Sequence, residues 1–123
     1  MSWVAGDYLI PFKIADLGTA ETLHAAIPTK SKVVAVRVVQ YATTTTPNTG
    51  MTVKKNDTAI GATIIVGTVA FGGAVGDVTE FNLLKPEHAD LAFEEGDSIA
   101  ITTDGNGTGP AKAMVHVHMR RAA

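Results

Sequence analysis

Two histidines, His116 and His118, stand two positions apart in a run near the C-terminus that alternates apolar and polar residues. On a β-strand this spacing directs both imidazole rings to the same face of the sheet. Two rings on one face can begin a metal site, but such a site needs a third or fourth ligand. Nothing in the sequence places His24 or His88 beside them. We therefore predict no metal ligands, and expect a half-exposed strand face or a subunit contact; gathering of His rings about a symmetry axis stays open.

Other stretches of the sequence are similar to known binding or catalytic motifs but lack a required residue or the required spacing. The loop that begins at Asp104 is similar to a calcium loop, but Val115 occupies the position where that motif needs a bidentate Glu. The glycine-rich stretch 72–76 has no Lys and no following helix to hold a phosphate. The paired carboxylates at 94–97 are typical of a solvated turn, and no Ser lies in a Gly-x-Ser-x-Gly elbow. We predict no catalytic residue, no cofactor and no enzyme activity.

Composition limits the kinds of partner. A chain of 123 residues with 46% hydrophobic residues is long enough for one domain with a real core. The formal net charge of −2 favours neither nucleic acid nor an acidic membrane surface, so no partner of either kind is predicted. The absence of Cys excludes a disulfide framework. The N-terminal residues have no basic or apolar region, so no signal peptide is expected.

The first half of the chain is predicted to form strands. Residues 8–14 alternate in polarity, and Pro11 within them favours the edge of a sheet. A short strand at 21–27 ends at Pro28. The stretch 31–43 is apolar on both faces, which is typical of a central strand buried on both sides, within the domain or against another subunit.

The second half continues this pattern. We predict a polar loop at 43–50, a two-residue hairpin turn at Asn56 and Asp57 between strands at 52–55 and 58–61, strands at 63–71 and 78–84, and one helical turn at 85–90. A tight turn at Glu95, Gly96 and Asp97 then leads into a strand at 99–103. A glycine-rich loop and an alternating run at 113–120 follow, which predicts a terminal hairpin or an adjacent strand pair.

Together these patterns predict an all-β chain. We expect one β-sandwich domain over residues 1–123, of jelly-roll or Greek-key type, with about eight strands. Residues 1–7 are predicted to form an extended N-terminal arm, which either folds onto the domain or reaches a neighbouring subunit.

The order of these features resembles a known family. After the polar N-terminal arm come a strand that ends at Pro28, a Val-rich strand, a Thr/Gly-rich loop and a short hairpin. A tight turn, a strand, a Gly-rich loop and a final alternating strand complete the pattern, which covers most of the chain, roughly residues 20–121. This order resembles the small β-sandwich structural proteins of tailed bacteriophages. The pattern is most similar to the head decoration, or cement, proteins that bind the outside of the capsid.

The resemblance implies a virion structural protein. It implies a homotrimer that binds the major capsid protein on the capsid exterior, after assembly in the host cytoplasm. Binding only the assembled shell stabilises that shell by mass action, and many symmetric copies add avidity. The family has no motif from which a binding residue could be carried over. The alternative is a carbohydrate- or receptor-binding β-sandwich module of a phage fibre or an enzyme, for which the 6% aromatic content offers few ring platforms.

Overall fold

The structure is a computed structural model that describes residues 4–41, 49–55, 63–69, 76, 78–80, 91–103 and 112–122. The regular elements of these residues are nine β-strands. They are β1 (Asp7–Ile14), β2 (Thr22–Ala26), β3 (Ser31–Gln40), β4 (Thr49–Lys55), β5 (Thr63–Val69), β6 (Val78–Glu80), β7 (Ala92–Phe93), β8 (Ser98–Thr103) and β9 (Ala113–Arg121).

The strands form two antiparallel sheets. The first sheet has the order β1-β9-β3-β6, with the short β7 paired to the start of β3, and the second has the order β2-β8-β4-β5. Most successive strands therefore lie in different sheets, while β4 and β5 are neighbours. This is the strand order of a jelly roll, in which two Greek keys are folded over a shared core. The predicted all-β sandwich of jelly-roll type is confirmed.

The core lies between the inner faces of the two sheets. Alternate residues of β1, β4 and β9 are buried toward the core, as the period of two in the sequence predicts. The fully buried apolar side chains include Ile14 of β1, Val36 and Val38 of β3, Val53 of β4, Ile99 and Ile101 of β8, and Val115, Val117 and Met119 of β9. Burial of each such side chain contributes about 1.5–3 kcal/mol of hydrophobic free energy, so the aliphatic residues supply the core that the few aromatics do not.

The two strands with the clearest predictions take the predicted places. Strand β1 lies at the edge of the first sheet, and Pro11 within it is exposed. Strand β3 lies between β9 and β6, and is buried on both faces, since inward Val36 and outward Ala35 both have 0% exposure. It ends at Gln40 and is followed by the exposed Tyr41, so the strand is shorter than predicted.

The predicted terminal hairpin is wrong. Strand β8 pairs with β2 and β4 in the second sheet, whereas β9 pairs with β1 and β3 in the first. Each is a central strand, so its backbone hydrogen bonds are taken by two other strands. The connection between them spans 104–112, longer than the two to five residues typical of hairpin loops, and it crosses between sheets that pack about 10 Å apart.

Another prediction is corrected in part. Strand β4 begins at Thr49, inside the predicted polar loop. Strand β4 pairs with β5, and the last pair joins Lys54 to Thr63, whereas the predicted strand at 58–61 lies outside the described residues. The predicted turn at Asn56 and Asp57, the helical turn at 85–90 and the loop at 104–109 lie outside the described residues.

The last residue of the predicted N-terminal arm, Asp7, belongs to the first sheet. Strand β1 begins at Asp7, and the Asp7 amide donates a hydrogen bond to the Val4 carbonyl at 3.1 Å. Residues 4–6 therefore form a turn that leads directly into β1, and residues 1–3 lie outside the described part of the chain.

The predicted turn before β8 has a glycine at its tightest position. Gly96 has φ of +87°, and the Asp97 amide donates to the Glu94 carbonyl at 3.1 Å, so the four residues 94–97 form a β-turn. A positive φ at the third residue of such a turn is strained for any side chain other than glycine. The Gly96 amide also donates to the Ile27 carbonyl at 3.0 Å, which ties the turn to the end of β2.

Substitution of Gly96 by alanine is expected to lower the free energy of unfolding by about 1–2 kcal/mol. The cost comes from the backbone alone, because nothing lies within 4 Å of a methyl group built at this position. Urea denaturation of Gly96→Ala would measure it, with Glu95→Ala at the neighbouring exposed position as the control. Equal midpoints for the two variants would show that the turn tolerates a side chain at φ of +87°.

Candidate functional site

The candidate site is the side of the first sheet that points away from the core, here called the outer face. Because directly opposed residues of paired strands share a face, the strand register defines its members. They are Asp7, Leu9, Pro11 and Lys13 of β1, Met114, His116, His118 and Arg120 of β9, Lys32, Ala35, Arg37 and Val39 of β3, and Val78 and Glu80 of β6.

An apolar strip crosses the outer face. Val78 on β6 is 58% exposed, and it lies in one cross-strand row with the half-buried Val39 of β3 and Met114 of β9. Since neighbouring strands lie about 4.8 Å apart, these three side chains form a continuous surface, and Lys13 ends the row on β1. Leu9, which is 42% exposed, lies apart from this strip, two rows away on β1.

A charged row lies beside this strip. Arg37 of β3 is opposed by His116 of β9 on one side and by Glu80 of β6 on the other. The Arg37 Nε atom lies 3.6 Å from Glu80 Oε2, and the Glu80 side chain is 56% exposed. An ion pair this exposed adds little to the stability of the fold, so its effect is mainly on the charge pattern that a partner would meet.

At the N-terminal end of β1, Asp7 binds two residues of β9. Its Oδ2 atom lies 2.8 Å from His118 Nε2, and its Oδ1 atom accepts a hydrogen bond from Arg120 Nε at 3.0 Å. Arg120 Nη2 donates to Oδ2 at 3.2 Å, and the Val4 amide donates to the same oxygen at 3.0 Å. The Asp7 and His118 side chains are fully buried, while that of Arg120 is 28% exposed.

These contacts keep the Asp7 carboxylate ionised. The hydrogen bonds from Arg120 hold the pKa of Asp7 well below its usual range, with further lowering from the Val4 amide and His118, and burial opposes the shift. The same carboxylate raises the pKa of Arg120. Because the carboxylate accepts hydrogen bonds on both oxygens, the cluster fixes β1 against β9, and its chemistry is that of a structural anchor.

The two histidines singled out in the sequence share a face, as their spacing predicts, but differ in environment. His116 is half-buried and opposes Arg37, whereas His118 has 0% exposure and contacts Asp7. His24 lies on β2 in the other sheet, and His88 lies outside the described residues. Among the residues that the structure describes, no three His, Asp or Glu side chains come together in a way that could hold a metal ion.

Sequence reasoning did not find the Asp7 cluster. Asp7 falls within the predicted arm, and Arg120 belongs to one of several small basic pairs in the sequence. The available signal was an acidic residue at the start of one alternating strand and basic residues two apart on another. It becomes informative only when the pairing of Asp7 with Arg120 is known.

Comparisons with known proteins show a distant likeness to a solved structure. No family model matches the chain, and the search of curated proteins found no match. Among solved structures, the chain is similar to a chain in the structure of infectious bursal disease virus, Gt strain, at 22% sequence identity and a TM-score of 0.40. The similarity covers 94% of this chain and 30% of the viral chain. The resemblance to phage head decoration proteins therefore stays a prediction.

The described residues contain no helix that is both long enough and apolar enough to span a membrane.

Proposed function

We propose that this chain is a virion structural protein that binds the outside of an assembled capsid as a homotrimer, stabilises the shell and has no enzyme activity. The observation that carries the proposal is the outer face, where an apolar strip and a charged row lie side by side. Exposed apolar side chains in a continuous patch, rimmed by polar residues, are typical of surfaces that contact another protein.

The jelly-roll topology supports the proposal without deciding it. Viral capsid domains, lectin domains and cupins all use this fold, so the choice among these functions depends on the chemistry of the surface residues. Sugar-binding sites usually present Trp, Tyr or Phe rings, and none of the outer-face residues defined above is of these three types. The apolar strip consists of aliphatic side chains and Met114, which suits a protein contact better than a sugar ring.

The proposed mechanism is mechanical. A protein that binds the assembled shell and not its free subunits stabilises the shell by mass action. A trimer that contacts neighbouring major capsid subunits at once gains avidity from its repeated contacts. Cyclic symmetry would also present three copies of the same outer face to equivalent surfaces of the capsid.

Two measurements test this proposal. Light scattering on a sizing column should give a species near three times the chain mass of 12.8 kDa. Co-sedimentation with expanded shells of the phage that encodes the chain should follow, together with a rise in the melting temperature of the shells. Failure to bind assembled shells would refute the proposal. Specific binding on a glycan array, without shell binding, would instead support the carbohydrate- or receptor-binding module.

Replacement of Leu9 by Glu is expected to weaken shell binding by about tenfold or more, because a buried contact would gain an unpaired charge. Leu9 is 42% exposed in the free chain, so the fold should persist, and circular dichroism would verify this. The control is Ala26→Glu, which adds the same charge at an exposed position on β2 in the second sheet. Equal loss of binding in both variants would show that the outer face is not the contact surface.

A further inference from the structure

We propose that a basic pocket at the end of the first sheet, where β3 begins and β9 ends, binds carboxylate groups of an acidic peptide segment. The pocket has a volume of about 370 Å³ and is lined by four cationic residues, Lys30, Lys32, Arg120 and Arg121, together with Ala92 and Phe93. This proposal does not rest on the proposed function, since it depends only on the local charge and shape.

Strand pairing places Lys32 of β3 and Arg120 of β9 opposite each other on the outer face, and Arg121, the next residue of β9, lines the pocket from the opposite face of the sheet. The next pair of the same ladder joins Ser31 to Arg121. The ladder extends beyond the strands, because the Ala122 amide donates to the Lys30 carbonyl at 2.9 Å. Because Arg120 is already bound to Asp7, the positive charge left for a ligand in this pocket belongs to Lys30, Lys32 and Arg121.

The acidic residues nearby do not balance this charge. Asp7 is bound to Arg120, and is shared with His118. Glu94 Oε1 lies 3.9 Å from Lys30 Nζ, and the two side chains are 71% and 63% exposed, so this pair interacts weakly. Within the residues that the structure describes, neither Lys32 nor Arg121 has an acidic partner. Counting the described residues alone, the pocket keeps an excess of positive charge although the whole chain has a net charge of −2.

Two contacts hold the Arg121 side of the pocket. The Arg121 guanidinium lies over the Tyr8 ring, 5.7 Å from its centroid, and the Tyr8 hydroxyl lies 2.7 Å from Ser31 Oγ. Ser31 Oγ donates in turn to the Thr29 carbonyl at 2.7 Å. The Ser31 and Tyr8 hydroxyls are thus engaged with each other, which leaves recognition of a ligand to the cationic side chains.

The shape and lining favour a carboxylate on a peptide over a free inorganic anion. Guanidinium groups bind carboxylates and phosphates alike in a bidentate way, so the preference comes from the rest of the pocket. The volume lies within the range of about 300–1,000 Å³ that is usual for small-ligand sites, and the exposed Ala92 adds an apolar surface that suits the carbon chain of Glu or Asp. A nucleic-acid strand is disfavoured, because stacking of bases needs exposed rings and Phe93 is only 1% exposed.

The test is a nuclear magnetic resonance titration of the full chain with a blocked tetraglutamate peptide. We expect shifts of the backbone amides at 30–32 and 92–93, with weaker binding at higher salt as the charges are screened. The double variant Lys32→Gln/Arg121→Gln should weaken binding by about tenfold or more, since it removes two charge-assisted contacts. Both side chains are exposed, so the fold should survive, and Lys30→Gln provides a second variant of the pocket.

The controls separate the possible ligands. A blocked tetraglutamine peptide should not bind, and inorganic phosphate should bind more weakly than tetraglutamate. Lys112→Gln, at an exposed position just before β9 begins and far from the pocket, should leave binding unchanged. The proposal is overturned if no amide near the pocket shifts, if phosphate binds as tightly as the peptide, or if Lys112→Gln weakens binding as much as the pocket variants do.

Discussion

Replacement of Ile101 by alanine is expected to lower the free energy of unfolding by about 2–5 kcal/mol. Ile101 has 0% exposure and lies on β8, between Leu23 of β2 and Val53 of β4. Truncation removes buried methyl groups and leaves a cavity that the close-packed neighbouring strands β2 and β4 cannot fill. A loss of this size is a large fraction of the total stability of about 5–15 kcal/mol that is usual for a single domain.

Equilibrium denaturation in urea would measure this effect, with Ile101→Val as the matched control. The valine variant deletes one methyl group and should cost about 0.5–1.5 kcal/mol, so the two values test the dependence on cavity size. A loss below about 1 kcal/mol for Ile101→Ala would be too small for a packed core position and would contradict the central place of β8.

Asp7→Asn is expected to lower the melting temperature at neutral pH. The melting temperature of this variant should also fall less than that of the parent when the pH is lowered. The variant keeps the shape of the side chain but removes the charge that binds Arg120 and His118. The folded state holds the pKa of Asp7 below the unfolded value of about 3.9, so this carboxylate stabilises the native state fully at pH values above that. Its contribution is lost as the pH falls from about 4 toward the lower pKa of the folded state.

The difference in melting temperature between the parent and Asp7→Asn should therefore be largest near pH 7 and shrink below about pH 4. Thermal unfolding followed by circular dichroism from pH 7 to pH 2.5 would record it. Glu95→Gln is the control, because Glu95 is an exposed carboxylate in the turn before β8. A difference that stays constant over this range would show that the charge of Asp7 does not stabilise the fold.

Much of the secondary structure could be predicted from the sequence, because each strand carries its own local signal. The alternation in β1, the apolar run of β3 and the stop at Pro28 reflect backbone sterics and one-sided burial, which act over a few residues. The positive φ of Gly96 belongs to the same group, since the turn chemistry around it is local.

Strand partners could not be predicted in this way. The pattern of 99–103 and 113–120 is compatible with a hairpin, and the structure separates the two strands into different sheets. Period-two alternation indicates which side chains of a strand face the core. It does not indicate to which of the two sheets the strand belongs, because both sheets pack against the same core. The choice depends on which neighbours satisfy the backbone of every central strand at once, and that is a property of the whole sandwich.

The sequence by itself determined the all-β class, the inward-facing residues of most strands and the shared face of His116 and His118, because these follow from alternation along a single strand. Only the tertiary structure decided that Asp7 meets His118 and Arg120, and that Lys32 lies opposite Arg120. Those contacts join residues about 90–110 positions apart in the chain, and they arise from antiparallel register between strands that no local pattern connects.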